Sequence, residues 1–384
     1  MTNIFRSSAL KAASLAVLAA LSGCGPEDGS SEFTAGKAAF DAGDRVKAGK
    51  LFAKCVELAP DNVDALVYLA RIKLALGELP EAGEWIGKAE ELAPGDVDVR
   101  LLSAQIAWHM KDYDKAASLY SSVAEDASLD AALRADGWTG LGIVEMTRGE
   151  AHLARVDFLR AIRTDGSNAA ARYHLGLVYR EAPFGYLEAA RDQFDIFVRL
   201  DKDASPRVQK TLNVLIPGLK ESIARVEADR PGVARRNSAQ CATAISKADA
   251  ATKKGAWKTA RQCYQEALDA DALSYRAALG LARAILKVDA SKAGQSKALE
   301  KYKLACALSP GAVATFLEAG ELASKIGMYG QAVEIYSRAV AANPASLSAI
   351  DGLIKALRRV GGRQKESAAY QRYRDFLASS AKKK

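Results

Sequence analysis

The sequence predicts an all-α fold over most of its 384 residues: an α-solenoid, in which helical hairpins stack into a right-handed superhelix. The first observation behind this prediction is a repeat, because the features around Gly43 return at Gly77 and those around Pro310 return at Pro344, each after 34 residues. Periods of about 20–50 residues indicate repeated supersecondary units. One hairpin cannot bury its own apolar face, so the units must stack on one another.

The second observation is a pair of positions four residues apart in the units. Small residues there would let two helices approach closely, and aromatic residues one turn later would fill the gap to the next hairpin. The small residues are Ala48, Ala82, Ala116, Ala154, Ala190, Ala260, Ala298 and Ala332. The aromatic residues are Phe52, Tyr120, Phe158, Phe194, Tyr264, Tyr302 and Tyr336.

The third observation is the regular placement of glycines and prolines where helices are expected to end. Glycine can adopt the positive φ of a tight turn, and proline cannot continue a helix. The expected turn glycines are Gly77, Gly149, Gly255 and Gly327, and the prolines expected to end second helices are Pro60, Pro94, Pro310 and Pro344.

The chain begins with a predicted signal peptide, residues 1–23. Arg6 and Lys11 accompany a short apolar run from Ala12 to Leu21, which is too short to span a bilayer as a mature helix. Leu21-Ser22-Gly23-Cys24 resembles the bacterial lipobox, which implies cleavage before Cys24 and acyl chains attached to that cysteine. An ordinary cleavage site followed by a cysteine is the alternative. Residues 24–32 would form the flexible tether of the lipoprotein.

The residue after Cys24 bears on the choice of membrane. In the enterobacterial sorting scheme an aspartate at this place retains a lipoprotein in the inner membrane, and this chain has Gly25 there. The sequence therefore favours the outer membrane, with the protein facing the periplasm. A host with another sorting rule or a single membrane is the alternative.

The repeat pattern divides the rest of the chain. Residues 33–202 are predicted to form a first array of about five repeats, and residues 241–379 a second array of about four. Residues 203–240 are predicted as a helical connector, with a helix start at Ser205-Pro206 and a kink or break at Pro217-Gly218. Whether this connector is a hinge or part of one continuous superhelix stays open. Residues 380–384 are expected to be a disordered basic tail.

Leu141-Gly142 and Leu175-Gly176, together with the 34-residue period, resemble the tetratricopeptide repeat (TPR) family. The whole chain resembles bacterial TPR lipoproteins that act as envelope adaptors in outer-membrane assembly, pilus formation or peptidoglycan machinery. The resemblance implies a non-enzymatic scaffold that binds envelope protein partners. It does not select one pathway.

Charge narrows the kinds of partner. The formal net charge is +8, and removal of residues 1–23 would lower it by two. This modest excess favours acidic partners, whereas export makes nucleic acid an unsuitable one. No second segment approaches the length of apolar residues that a membrane helix needs.

The remaining motifs indicate neither a catalytic site nor a metal site. His109, His152 and His174 fall in three different hairpins, without a nucleophile motif or metal-ligand spacing, so no catalytic residue, metal or cofactor is predicted apart from the lipid on Cys24. The other cysteines are Cys55, Cys241, Cys263 and Cys306. We expect small buried thiols, with a Cys241–Cys263 disulfide as the alternative.

Projection of the repeat register onto the first helix of each hairpin predicts two surfaces. The first is a groove for a partner peptide or helix in the first array. It comprises Tyr68, Arg71, Leu101, Gln105, Trp108, His109, Ile143, Met146, Tyr173, Leu177 and Arg180. Packing of these residues between hairpins is the alternative.

The second surface is a basic concave patch in the second array. It comprises Lys253, Arg283, Lys287, Lys325, Lys355, Arg358 and Arg359. Such a patch would receive an acidic segment of a partner protein or an anionic envelope polymer, which makes a polymer or small-ligand carrier the alternative to the scaffold. The alternative is that these residues form a solvated, lysine-rich face that binds no ligand.

Overall fold

A computed structural model describes residues 29–181, 186–201, 205–228 and 237–382. The predicted signal peptide, the lipobox and Cys24 lie outside these residues. The described elements are α1 (Ser30–Asp41), α2 (Arg45–Leu58), α3 (Val63–Leu76), α4 (Leu79–Leu92), α5 (Val97–His109), α6 (Tyr113–Glu125), α7 (Ala131–Thr147), α8 (Ala151–Thr164), α9 (Ala169–Arg180), α10 (Leu187–Leu200), α11 (Pro206–Lys210), a π-helical segment (Thr211–Leu215), α12 (Ile216–Ala228), α13 (Ser238–Lys253), α14 (Trp257–Ala270), α15 (Tyr275–Val288), α16 (Lys292–Leu308), α17 (Val313–Lys325), α18 (Tyr329–Ala342), α19 (Leu347–Val360) and α20 (Gln364–Lys382).

Consecutive helices pair into hairpins. In the first unit α1 packs on α2, α3 on α4, α5 on α6 and α7 on α8, and in the second unit α13 packs on α14, α15 on α16, α17 on α18 and α19 on α20. This arrangement confirms the predicted all-α fold of stacked helical hairpins. The chain divides into two compact units, of which the first ends at Ala171 and the second begins at Arg172. The division falls inside α9, and not in the 203–240 segment that the sequence suggests as the connector between arrays.

Local sequence explains where the helices begin and end. The side chains of Asp44, Asn62, Asp96, Asp112 and Asp130 each accept a hydrogen bond from the backbone N–H three residues later, at the starts of α2, α3, α5, α6 and α7. All four predicted turn glycines have φ between 70° and 81°. Each predicted proline follows the last residue of a second helix by two positions. These predictions are confirmed.

The paired small and aromatic positions form the core. All eight alanines are fully buried, and the seven aromatic residues are buried with them. Glycines on first helices lie directly against the rings: a Cβ atom on Gly142 would come 2.6 Å from Phe158, and one on Gly280 would come 2.4 Å from Tyr264. Phe158 belongs to the same hairpin as Gly142, whereas Tyr264 belongs to the hairpin before Gly280. The rings therefore pack between hairpins, as predicted, and also within their own hairpin, which the pattern did not predict.

The segment after α10 is a helix interrupted by a π-helical turn. Ser205 caps its start by accepting a hydrogen bond from the backbone N–H of Val208 at 3.2 Å, as predicted. The predicted break at Pro217 does not occur, because α12 runs through it. Proline lacks the N–H that an α-helix needs, and the wider π-helical segment directly before Pro217 absorbs that defect. The segment packs on α10.

Both described ends of the chain are more helical than predicted. Helix α1 begins at Ser30, so the last residues of the predicted tether are helical. Helix α20 extends to Lys382, so residues 380–382 are not the disordered tail that was expected. Ala and Lys are good helix formers, and the Ser380 hydroxyl donates to the Phe376 carbonyl oxygen one turn earlier. Within the described residues no helix is long and apolar enough to cross a membrane.

Candidate binding surface

The first helices of successive hairpins lie on the inner face of each unit. In the first unit α3 contacts α5, and α5 contacts α7. In the second unit α13 contacts α15, and α17 contacts α19. Direct packing of first helices on one another is the geometry of a curved stack whose inner face they line. A partner bound on the inner face would therefore contact the side chains of these first helices.

Part of the predicted apolar groove lies inside the core of the first unit. Leu101 and Ile143 are each 8% exposed, so their prediction as accessible groove contacts is wrong. Tyr68 stacks on Phe52 with ring centroids 4.6 Å apart and meets Phe40 edge-on. These side chains fill the gaps between hairpins, which was the alternative explanation of their spacing.

A smaller half-exposed patch remains in the first unit, at the ends of α5 and α7. The Trp108 indole N–H donates to the Thr147 hydroxyl at 3.0 Å, and its ring meets His109 edge-on at 4.8 Å. Burial lowers the pKa of His109, so this histidine is neutral at physiological pH. Gln105 and Met146 are also half-buried, and Arg71 pairs with Asp98 at 3.4 Å.

The three groove positions that fall in the second unit also differ from one another. Tyr173 is 7% exposed and packs against Phe197 with ring centroids 5.2 Å apart, so its prediction as a groove contact is wrong. Leu177 and Arg180 are half-buried. Arg180 pairs with its neighbour Glu181 at 2.7 Å.

All seven residues of the predicted basic patch are exposed. Four of them occupy equivalent places near the ends of successive first helices: Lys253, Lys287, Lys325 and Arg359, separated by 34, 38 and 34 residues. We call these four residues the cationic ladder. The equivalent places in the first unit hold Asp41, Ala75, His109 and Thr147. The ladder therefore distinguishes the last four hairpins from the first four.

Two members of the ladder lie over aromatic rings, which sequence reasoning did not identify. The Lys287 ammonium is 5.8 Å from the ring centroid of Trp257, and the Arg359 guanidinium is 6.0 Å from that of Tyr329. The ring faces hold the cations in place without neutralising them. Lys253, Lys325 and the nearby Lys355 form no ion pair within the described residues. Their charges are thus available to a ligand.

Arg283 differs from the ladder because its charge is already paired. Its guanidinium donates from Nε to one Glu318 oxygen at 2.9 Å and from Nη2 to the other at 2.5 Å, and the Tyr302 hydroxyl also donates to this carboxylate at 2.8 Å. The hydrogen bonds from Arg283 lower the pKa of Glu318. Arg283 therefore stabilises the contact between α15 and α17, and Glu318 neutralises the charge that a ligand would need. The sequence alone could not reveal this pairing over 35 residues.

The charge of the chain is divided unevenly between its parts. Residues 237–382 hold 22 Lys and Arg against 12 Asp and Glu, whereas residues 29–171 hold 16 against 23. The last four hairpins therefore carry a net charge of +10 and the first described unit one of −7. A count by segment would have shown this asymmetry in the sequence. It concentrates the positive field around the ladder.

The remaining candidate groups are buried or scattered. His152 lies in α8, and His174 lies in α9, where burial and the nearby Arg207 lower its pKa to about 3. Among the described cysteines, Cys55, Cys241 and Cys306 are buried and Cys263 is half-buried. Among the described residues no group of three or more potential ligands could hold a metal ion.

Comparison with known proteins agrees with the class that this fold defines, a solenoid of helical hairpins. Residues 39–106 match the family described as tetratricopeptide repeat. Residues 39–106 therefore contain tetratricopeptide repeats, and the described residues after them continue as helical hairpins. No curated protein sequence matches it.

Several solved structures resemble about half of the chain. PilF of Pseudomonas aeruginosa is 16% identical, with a TM-score of 0.42 over 53% of this chain and 94% of its own. A thermophilic TPR protein of Thermus thermophilus is 17% identical, with a TM-score of 0.42 over 49% of this chain and 99% of its own. PilW, a type IV pilus biogenesis factor, is 15% identical, with a TM-score of 0.42 over 52% of this chain and 93% of its own.

Proposed function

We propose that this protein is a non-enzymatic scaffold of the bacterial cell envelope that binds an acidic segment of a partner protein on the inner face of its last four hairpins. The cationic ladder is the observation that carries the proposal. TPR proteins in general bind protein partners, and the ladder gives this one a defined charge preference. Neighbouring first helices pack roughly 8–10 Å apart, so the ladder presents cations at intervals that an acidic segment can span.

The anchor of the proposed scaffold is lipid on Cys24. Its support is the sequence, in which a signal-like segment ends at Leu21-Ser22-Gly23-Cys24. Two or three acyl chains hold a protein stably on a membrane, whereas one is marginal. Gly25 supports placement in the outer membrane, with the arrays in the periplasm. A Gly25→Asp variant that fractionates like the wild type would remove that argument for the outer membrane.

Crosslinking in the intact envelope followed by purification of the chain tests the scaffold. We expect a stoichiometric protein partner whose recovery falls at least about tenfold when Lys253→Glu and Lys325→Glu are combined. The matched control combines Lys258→Glu and Lys292→Glu, which change the net charge equally on exposed residues of second helices. Equal recovery with both double variants would contradict a role for the inner face.

The alternative function is a carrier for an anionic envelope polymer, and the same ladder favours it. A regular row of cations suits any chain with repeated negative charges. Purified protein would then bind an acidic polysaccharide such as alginate, and the binding would disappear at high salt. Binding of alginate by wild type but not by the ladder variant, without a crosslinked protein partner, would favour the carrier over the scaffold.

A further inference from the structure

The turns inside the last four hairpins concentrate the positive charge of the second unit. Each turn joins the end of a first helix to the start of the second helix of the same hairpin. We call the four turn segments together the turn edge, which comprises residues 253–258, 287–292, 325–330 and 359–364. They hold eight Lys and Arg against one acidic residue, Asp289. Of the net charge of +10 in the last four hairpins, +7 therefore lies in the turn edge.

This charge belongs to one edge and not to the repeat as such. The equivalent turns of the first unit, residues 41–46, 75–80, 109–114 and 147–152, hold three basic and six acidic residues. The loops at the opposite edge of the last four hairpins, residues 270–275, 308–313 and 342–347, hold one acidic and no basic residue. Because α14 packs on α15, α16 on α17 and α18 on α19, the four turns follow one another along the stack. Their cations form one basic surface.

Half of these cations are the ladder, and the other half extend the charge beyond the inner face. The second half comprises Lys254, Lys258, Lys292 and Arg363. The three lysines are exposed and form no ion pair among the described residues, whereas Arg363 pairs with Glu366 at 2.6 Å. A peptide segment bound along the inner face would leave these lysines without a partner. A ligand that covers the whole edge would contact them.

Aromatic and aliphatic side chains lie between the cations of the turn edge. They are Trp257, Val288, Ile326, Met328, Tyr329 and Val360. Val360 is 41% exposed, and the other five are half-buried. Tryptophan and tyrosine are enriched at the headgroup level of bilayers, and lysine and arginine are attracted to anionic lipids there. The turn edge thus combines the residue types that suit the surface of a membrane.

We propose that the turn edge docks on the surface of an anionic phospholipid bilayer. Its cations pair with lipid phosphates, and the apolar side chains among them enter the interfacial layer. Four first helices packed roughly 8–10 Å apart spread these cations over about 25–30 Å, which is a surface and not a single point of contact. Docking orients the second unit on the membrane. This inference goes beyond the scaffold function and does not depend on it.

Tryptophan fluorescence tests the docking, because Trp257 is the single tryptophan of the last four hairpins. The other three, Trp85, Trp108 and Trp138, belong to the first unit. The purified full chain is mixed with vesicles of equal parts phosphatidylglycerol and phosphatidylcholine, whose acyl chains carry bromine as a short-range quencher. We expect quenching that disappears at high salt and is absent with pure phosphatidylcholine. Trp257→Phe should abolish it.

Charge variants test which cations carry the docking. Lys254→Gln, Lys258→Gln and Lys292→Gln together should remove at least about nine tenths of the quenching, because each cation near an anionic surface contributes about fivefold. The matched control combines Lys247→Gln, Arg276→Gln and Lys303→Gln, which remove the same charge from exposed residues outside the turn edge and should retain the quenching. Circular dichroism checks that each variant is folded.

Equal quenching by anionic and neutral vesicles, or equal loss in both triple variants, would overturn the proposal. Quenching that persists in Trp257→Phe would place another part of the chain on the bilayer and overturn it as well. Absence of quenching, with a crosslinked protein partner that is lost from the ladder variant, would assign the cations to that protein, so docking fails while the scaffold function stands. Salt-sensitive quenching of Trp257 without any crosslinked partner would support docking and contradict the scaffold.

Discussion

At the residue scale, two side chains occupy places whose backbone or surroundings do not suit them. Lys111 has a φ of 65° at the turn between α5 and α6, where the other hairpins of the first unit have Gly43, Gly77 and Gly149. A side chain in this left-handed conformation costs about 1–2 kcal/mol relative to glycine. Asp136 is largely buried in α7, where it accepts a hydrogen bond from the Asn168 amide at 2.9 Å.

Lys111→Gly should raise the free energy of unfolding by about 1 kcal/mol, because glycine adopts the required φ without strain. Chemical denaturation followed by circular dichroism measures the change. The matched control is Gly77→Ala, which should lower it by a similar amount. A Cβ at Gly77 meets no atom within 4 Å, so only the backbone conformation with φ of 80° opposes alanine there. Equal stability of both variants with wild type would contradict this explanation of the turn.

Asp136→Asn should change how stability depends on pH. Burial raises the pKa of Asp136 to about 7. The hydrogen bond from Asn168 lowers the pKa by a smaller amount, and the nearby carboxylates of Asp165 and Asp130 raise it. Between about pH 4 and 7 the folded chain therefore holds a proton that the unfolded chain has lost, and stability falls as the pH rises through this window. The variant should be more stable than wild type by about 4 kcal/mol at pH 8 and equal to it near pH 4.

Denaturation midpoints at these two pH values measure the effect. A difference that is the same at both would show that the carboxyl titrates normally. Asn168 also caps α9 by accepting the Ala171 N–H at 2.8 Å, so Asn168→Ala is not a suitable control. Asp130→Asn is also unsuitable, because Asp130 caps α7.

At the element scale, close contact between a first-helix glycine and a second-helix ring determines how hairpins pack. Phe194 lies against Gly176, and Tyr336 lies against both Gly320 of its own hairpin and Gly352 of the next. A methyl group at any of these glycines would clash with the ring atoms, because its carbon would lie 2.4–2.7 Å from them. The sequence pattern predicted that these rings fill the gap to the next hairpin, but the close contact with first-helix glycines is visible only in the structure.

Gly280→Ala should lower the free energy of unfolding by about 1–3 kcal/mol, because its Cβ would lie 2.4 Å from the ring of Tyr264. Gly87→Ala in α4 is the matched control. A Cβ at Gly87 meets nothing within 4 Å, and alanine is the better helix former, so stability should rise by about 0.5–1 kcal/mol. Thermal unfolding of both variants measures the difference. The same sign for both would contradict ring contact as the cause.

At the scale of the whole molecule, stacked repeats depend on their neighbours, so the outermost hairpins have the least support. In α20 the buried Glu366 replaces the alanine of other units and pairs with Arg363 through its Nε at 2.7 Å. The sequence predicts a looser last hairpin at this place. The ion pair compensates for the buried charge, but no described hairpin covers the outer side of α20.

Hydrogen exchange followed by mass spectrometry should therefore show faster exchange in α20 than in α17 and α18 of the same unit. Within the first unit, α1 should exchange faster than α5 and α6. Uniform protection along the second unit would contradict the dependence on neighbours.

The sequence by itself determined the class of fold, the turns, the helix caps and the exposed basic residues. Each of these depends on residues that are close along the chain or one repeat apart. Only the tertiary structure decided that Leu101, Ile143 and Tyr173 belong to the core and that Arg283 is paired with Glu318. The physical reason is that burial and pairing depend on how each hairpin stacks on the next, which brings together residues that no local pattern relates.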